Sequence, residues 1–462
     1  MTNNLNDDLT LFNELITFFL EEEKQNPVSE YINPNMLREV LDLKLSKEGM
    51  TDNEFKNSLK NVLLKSTKSS SKLFFNQLFG GRHSKAVLGD LLSVVLNNSM
   101  ATYKISGPQT IVEKEVLSEV YKLIGYDTNP GGTFPTGGSM SNFMSLVIAR
   151  DKVDLKIKEK GGAQNLVAYT SENSHYSIDK NASFAGIGKA NVRHINSDEY
   201  GKISVSEFKK QVQLDLSRGL TPFYLNATAG TTVLCAFDNI RELASVCQEH
   251  NIWLHLDGAF GGSVIFSEKY NHLVDGISQT DSFCFNAHKT LGAPLSTSVL
   301  AVKDKRDLYN SFNNNANYLY QTHNEEFNLG QTSFECGRRN NALKLWTMWK
   351  AIGTNGIANI VEKGFKLADI ARDYVKNNSD YKLYSFGESL SICFNYKDFD
   401  PEDLCKKLYE SNTLMVGFGN FKDKRFVRLV IVNCENSSKE LTQFFATLEA
   451  FANHNNDLIK KM

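Results

Sequence analysis

The chain has 462 residues, 41% hydrophobic and 23% charged, which excludes wholesale disorder. Its 51 Lys and Arg against 53 Asp and Glu leave a formal charge of −2, so it lacks the basic footprint of a nucleic-acid binder. Apolar runs such as Leu91–Leu96 fall far short of the roughly 20 residues of a membrane-spanning helix. The polar, acidic start, Met1 to Asp8, reads as neither a secretory signal nor a transit peptide. Seven cysteines, an odd number with no C-x-x-C pair, read as reduced thiols rather than disulfides or a zinc site. These features suit a cytoplasmic protein long enough for about three average domains.

Leu9, Phe12, Leu15, Ile16 and Phe19 follow helical spacing until Asn26-Pro27 breaks it, and a second helix is expected over about 53–64. The run Lys65 to Lys72 reads as an exposed loop. A helix over 111–123 leads to a Gly-rich turn and a helix over about 141–150. Apolar runs at 166–169, 223–226, 252–256, 282–285 and 297–302, with helical segments between several of them, predict a mostly parallel sheet covered on both faces. A helix over 341–351 ends at Gly353-Thr354-Asn355-Gly356, a hinge, and strand-like runs at 391–394 and 426–432 predict a smaller C-terminal α/β domain. The expected division is 1–85 helical, 86–352 the large domain and 353–462 the small one.

Ligands of such sheets gather at the carboxyl ends of strands, and four ends carry polar groups. Gly137-Gly138-Ser139 opens a helix whose free N–H groups suit an anion, though a plain Gly-rich turn with a Ser cap explains it as well. Asp257 ends an apolar strand, where a carboxylate needs a partner: the next helix's N–H groups or a cationic ring nitrogen. Lys289 ends another, where desolvation would make its amine nucleophilic toward an aldehyde, and Asn286 and His288 beside it reach toward a phosphate; an exposed loop lysine is the alternative. His175 follows a fourth strand, either as a loop histidine or as a ring stacked on an aromatic ligand. Together, a phosphate turn, a stacking ring, a carboxylate for a ring nitrogen and an aldehyde-capturing lysine are the parts of a pyridoxal 5'-phosphate site.

From about Leu73 to Val432 the chain resembles the pyridoxal-phosphate-dependent group II amino acid decarboxylases. Ser171-Glu172-Asn173-Ser174-His175-Tyr176-Ser177 resembles the segment whose histidine stacks on the cofactor. Asn226-Ala227-Thr228-Ala229-Gly230-Thr231-Thr232 is similar to N-A-T-x-G-T-T, whose last Thr, here Thr232, lies near the cofactor. His255-Leu256-Asp257-Gly258-Ala259-Phe260 resembles H-V-D-A-A-[WY], which implies Asp257 at the pyridine nitrogen and Ala259 beneath the ring. Asn286-Ala287-His288-Lys289 resembles N-P-H-K, which implies Lys289 as the Schiff-base lysine with Asn286 and His288 near the phosphate. Gly137, Gly138 and Ser139 match the phosphate turn. The implied fold is the type I (aspartate aminotransferase-like) fold of PLP-dependent transferases, and the implied assembly is a homodimer with sites at its interface.

The branch acting on acidic amino acids is the most similar. Leu73-Phe74-Phe75-Asn76-Gln77-Leu78-Phe79 resembles its F-F-N-Q-L segment, which makes Gln77 a substrate-pocket residue, and Cys336-Gly337-Arg338 through Thr354 resembles its C-G-R…W-x-M-W-K-A-x-G-T. Arg428, in Phe426-Val427-Arg428-Leu429, lines up with an arginine that binds substrate carboxylate. The resemblance therefore implies α-decarboxylation of glutamate, aspartate or cysteine sulfinate to CO2 and the amine. Aromatic or diamino substrates, decarboxylation-deamination to an aldehyde, and a non-catalytic cofactor-binding protein are the alternatives.

Three departures stand out. Gly258 and Phe260 replace Ala and Trp/Tyr, from which looser packing at the ring is expected, and Ala287 replaces Pro. The position of the loop Tyr that protonates the substrate carbanion from the neighbouring subunit falls, counted back from Cys336, on Phe327, which has no proton to give; Tyr318 and Tyr320 are nearby.

Overall fold

The computed structural model describes residues 4–163, 165–314, 316, 318–320 and 325–462; Met1 to Asn3 of the polar start lie outside them. In chain order the strands are β1 (Phe74–Phe75), β2 (Gly131–Thr133), β3 (Leu166–Ser171), β4 (Val192–Ile195), β5 (Thr221–Thr228), β6 (Trp253–Gly258), β7 (Ser282–Asn286), β8 (Ser298–Val302), β9 (Tyr381–Leu383), β10 (Ser391–Tyr396), β11 (Met415–Phe421) and β12 (Lys424–Val430).

The larger sheet has the order β2-β8-β7-β6-β5-β3-β4. β7, β6, β5, β3 and β4 are mutually parallel, and β8 runs antiparallel to β7 and β2. Alternate residues enter two apolar layers: Leu254, Leu256, Phe283 and Phe285 one, Trp253, Cys284 and Leu300 the other. Burial on both faces is why these strands read as continuous apolar runs. The helix Gly138–Val153 fills the second layer with Met144, Leu146 and Ile148, and helices Val205–Ser217 and Ile240–Glu249 fill the first with Phe208, Val212, Leu243 and Ala244.

The smaller sheet has the order β1-β11-β12-β10-β9. Its edge strand β1 comes from the N-terminal segment, which was expected to be helical; it pairs parallel to β11, with Phe74 opposite Met415. The Phe75 ring packs edge-on against Phe444, centroids 5.1 Å apart, so the N-terminal segment is stitched to the C-terminal sheet.

The two N-terminal helices run over Leu5–Gln25 and Asp52–Lys65, the second started by a capping box between Thr51 and Glu54. The segment from Lys65 to Lys72 is not a free loop. Lys68 is buried and donates from Nζ to the carbonyls of Pro27 and Leu64, 3.2 Å each, and burial lowers its pKa. The helix from Ala342 breaks at Gly353 (φ 68°, ψ 174°) but resumes at once and continues to Asn377, carrying the chain to the smaller sheet. No helix among the described residues is long and apolar enough to cross a membrane, and all seven cysteines are free thiols.

Candidate active site

Parallel strands end on one edge, and the carboxyl ends of β3, β5, β6 and β7 converge on a cavity of about 210 Å³. Its lining contains Gly138, Ser139, His175, Thr232, Asp257, Ala259, Asn286, His288 and Lys289, nine of the positions singled out in the sequence. Asn142, Tyr176, Thr228, Gly230 and Phe260 complete it.

At one side the helix Gly138–Val153 presents an N-terminus that no side chain caps. Gly137 precedes it with φ +153°, a conformation side-chain-bearing residues rarely adopt. A Cβ on Gly138 would lie 2.9 Å from the Ala259 Cβ and 3.2 Å from the Asn286 Nδ2, so only glycine leaves the backbone N–H groups this close to the opposite wall. Asn286 accepts from the Ser298 hydroxyl at 2.6 Å through Oδ1, leaving its amide N–H groups to donate elsewhere. His288 Nδ1 lies 3.0 Å from the Thr297 nitrogen and 3.1 Å from its carbonyl oxygen, which anchors the ring, and burial pushes this imidazole down to about 4. This end of the cavity is a set of neutral N–H donors, suited to a phosphate.

Asp257 is buried, and each of its oxygens accepts one N–H. Its Oδ2 accepts from Asn142 Nδ2 at 2.7 Å, and its Oδ1 from the Ala259 N–H at 3.0 Å. Asn142 lies one turn after Ser139, so one helix supplies both the N-terminus at the phosphate end and the donor to the carboxylate. Sequence reasoning assigned Asn142 no role, although its i, i+3 spacing from Ser139 was the available signal. Lys289 ends β7 on a single turn of helix; burial lowers its amine pKa, opposed by the Asp257 charge. His175 Nδ1 accepts from the Ser177 N–H at 3.3 Å. Burial lowers its pKa, the Asp257 charge opposes that, and Lys289 adds to it, which favours a neutral flat ring at the cavity wall.

Other expected residues lie outside this lining. Arg428 on β12 donates from Nη1 to the carbonyl of Thr232 at 2.9 Å and from Nη2 to that of Asn76 at 3.1 Å. It thus touches the site through Thr232, while its Nε is buried without a partner. Gln77, next to Asn76, is exposed. Phe327 packs on Tyr103, with ring centroids 5.8 Å apart, and under Lys114 Nζ at 4.2 Å. Tyr318 is exposed, and Tyr320 sits against Gly330.

The departures from the family motif have local causes. A Cβ on Gly258 would meet Phe283 Cε2 at 2.6 Å, the Cys284 carbonyl at 2.7 Å and Gly262 Cα at 2.9 Å. The packing there is tight, not loosened as expected from the sequence, because the Phe283 ring and backbone already fill the space. Ala287 uses the N–H that proline lacks to donate to the Thr297 carbonyl at 2.9 Å, joining the lysine-bearing turn to β8.

A two-sheet α/β architecture with a lysine, a buried carboxylate and an uncapped helix N-terminus around one cavity has the form of a fold type I enzyme. The conserved domain of pyridoxal-dependent decarboxylases matches residues 34–397, and the chain belongs to that family. It is 34% identical over 430 residues to the cysteine sulfinic acid decarboxylase of Rattus norvegicus, covering 88% of this chain and 87% of that one. It is 34% identical over 438 residues to the acidic amino acid decarboxylase GADL1 of Mus musculus, covering 90% and 80%. The crystal structure of mouse CSAD superposes with a TM-score of 0.91 at 30% identity, over 97% of this chain and 99% of that one. The protein is a pyridoxal-phosphate-dependent amino acid decarboxylase, a carboxy-lyase.

Proposed function

We propose that Lys289 holds pyridoxal phosphate in this cavity and that the enzyme releases the α-carboxylate of an acidic L-amino acid: glutamate, aspartate or cysteine sulfinate. The observation that carries the site assignment is the single cavity lined by Lys289, Asp257, His175 and the helix start at Gly138 and Ser139. Its donor set fits the cofactor: N–H groups from Gly138, Ser139, Asn286 and His288 for the phosphate, the Asp257 carboxylate for the ring nitrogen, the His175 ring for stacking on one face, Ala259 for packing on the other, and Thr232 beside it. When bound, the cofactor withdraws electrons from the substrate Cα so that CO2 can leave.

The protein's own groups set the conditions for that. Asp257, held by two N–H donors, favours a proton on the ring nitrogen. Lys289, with its pKa lowered by burial, would offer its amine to the aldehyde carbon of the cofactor. Arg428 and Gln77 are the residues proposed to hold substrate carboxylates, supported by the contact of Arg428 with Thr232. Both relatives are named for acidic substrates, which supports the same class here.

A homodimer is part of this reading. Helix Ser84–Leu96 turns Ala86, Gly89 and Ser93 inward and leaves Leu88, Leu91, Leu92, Val94, Val95 and Leu96 part exposed, an apolar face that a second copy would cover. The test is purified protein with added cofactor against cysteine sulfinate, aspartate, glutamate and aromatic amino acids, quantifying CO2, amine and aldehyde. CO2 and amine in equal amounts from an acidic substrate support the proposal. Turnover of aromatic substrates only, or aldehyde in place of amine, overturns it and directs attention to Phe327.

A further inference from the structure

We infer that His255, Asn142 and Ser282 form a one-way hydrogen-bond relay that holds the Asp257 carboxylate in one orientation for the cofactor's ring nitrogen. The inference rests on the proposed placement of Asp257 at that nitrogen. None of the three has a chemical role of its own in the reaction; they are positioning residues.

The direction of the relay follows from its two ends. The Trp253 indole can only donate and the Asp257 carboxylate can only accept. Trp253 Nε1 donates to Ser282 Oγ at 2.9 Å. Ser282 Oγ lies 2.8 Å from His255 Nδ1 and 2.8 Å from Ser145 Oγ. The carboxylate end fixes the order: Asp257 takes an Asn142 N–H, so Asn142 Oδ1 faces His255 Nε2, and the Ser282 hydroxyl proton goes to His255 Nδ1. His255 then carries its proton on Nε2 and donates to Asn142 Oδ1 at 3.0 Å. That orients the amide so that Nδ2 donates to Asp257 Oδ2 at 2.7 Å.

Each link prevents the next from turning over. A flipped Asn142 would set its oxygen against the carboxylate and its NH2 against the Nε2 proton. The opposite tautomer of His255 would remove the donor that opposes the flip, and Ser282 holds that tautomer. His255 and Ser282 are fully buried away from the cavity, and burial pushes His255 down to about 4, consistent with a neutral ring. Hydrogen bonds pointing one way along a buried chain also polarise one another toward the carboxylate.

The experiment compares reconstitution of the cofactor-free protein with pyridoxal phosphate and with the analogue in which carbon replaces the ring nitrogen. The variants are His255→Leu, His255→Gln and Ser282→Ala, each checked for folding by circular dichroism. His255 and Ser282 do not line the cavity. The relay predicts that His255→Leu and Ser282→Ala weaken pyridoxal phosphate binding about tenfold and move the absorption band of the bound cofactor, while the analogue binds as it does to wild type. Glutamine, which accepts from Ser282 and donates to Asn142, restores both affinity and spectrum. Equal losses for both cofactors mean packing alone and overturn the relay, as does unchanged binding in His255→Leu. A wild-type protein that does not distinguish the two cofactors overturns the placement of Asp257 itself, and the relay with it.

Discussion

Arg428 Nη1 donates to the carbonyl of Thr232 at 2.9 Å, and the same guanidinium holds the Asn76 carbonyl at 3.1 Å through Nη2. One side chain on β12 therefore joins the wall of the cavity to β1, a strand that starts more than 350 residues earlier. Two carbonyls occupy one N–H on each terminal nitrogen, so donors remain for a carboxylate entering beside Thr232. Lysine at this position keeps the charge but cannot bridge both carbonyls and a substrate at once. Arg428→Lys is expected to raise KM for the acidic substrate about tenfold or more, with a smaller fall in kcat. An unchanged KM in steady-state kinetics would remove Arg428 from the substrate site.

The amine of Lys289 sits in a desolvated wall, and burial lowers its pKa. A lowered pKa means that the neutral, nucleophilic form is already present at pH values where an ordinary lysine, near about 10.4, is almost wholly protonated. The rate of cofactor capture by the cofactor-free protein should therefore rise with pH through a midpoint clearly below that value. Stopped-flow absorbance across pH 6–10 measures it. Borohydride reduction followed by peptide mass mapping should place the trapped cofactor on Lys289, and Lys289→Ala should lose at least about 1,000-fold in turnover. A label on any other lysine refutes the assignment.

Gly258 answers a question the motif alone could not. Alanine in the family pattern suggests that glycine leaves a gap, but the Phe283 ring and the Cys284 carbonyl stand 2.6 and 2.7 Å from where a Cβ would be. Since one obstacle is backbone, it cannot simply rotate away. Gly258→Ala is expected to destabilise the protein by about 1–3 kcal/mol, read as a lowered midpoint in urea, whereas pairing Gly258→Ala with Phe283→Leu should recover part of the loss. A fully stable Gly258→Ala would show that the strand can shift without cost.

The same contrast separates what was legible in the chain from what was not. The ends of β3, β6 and β7 were readable because each joins a buried apolar run to a polar residue that burial alone does not explain, whereas Thr232 after β5 was marked only by the family resemblance. Asn142 was not, because an asparagine inside a helix is chemically mute until its partner Asp257, more than 100 residues away, is placed against it. β1 escaped because two phenylalanines have no periodicity, and their pairing to Met415 and Val416 is wholly non-local. β4 was masked by Arg193 and His194, which point out of an edge strand, and β11 by Gly417 and Gly419. Lys68 looked like part of a solvated run, yet carbonyl partners from two other segments bury it.

Glu113 and Arg338 form a buried pair with two parallel hydrogen bonds, 2.8 Å from Nη1 and 2.6 Å from Nη2. The pair fastens the Cys336-Gly337-Arg338 segment, which follows the stretch holding Phe327, to the helix Pro108–Ile124. Removing one partner leaves a charge with nowhere to go, so Glu113→Gln is expected to cost about 3–5 kcal/mol, and Arg338→Met alone a similar amount. The double variant Glu113→Gln with Arg338→Met leaves no unpaired charge and should recover much of the loss. Urea unfolding of the four proteins closes the cycle. Additive losses would mean that the two side chains act separately, and that the segment after Phe327 is held by its backbone bond from Met100 to the Arg338 carbonyl, 3.0 Å, rather than by the ion pair.

The exposed face of helix Ser84–Leu96 gives the assembly its test. Leu92 and Val95 are about half exposed on a helix whose inward residues pack against the helix that starts at Ala342. Covering this face with a second copy would remove both from water, and a glutamate at either position would then be buried without a partner. Leu92→Glu with Val95→Glu is expected to weaken the dimer by more than about 100-fold, giving monomer at micromolar concentration in sedimentation equilibrium. Both positions lie outside the cavity lining. If sites are shared across the interface, turnover should fall in step with the dimer fraction as protein is diluted, while each monomer keeps its fold by circular dichroism. Full activity in a monomeric variant would place every working group within one chain and leave the apolar helix face without a part in the reaction.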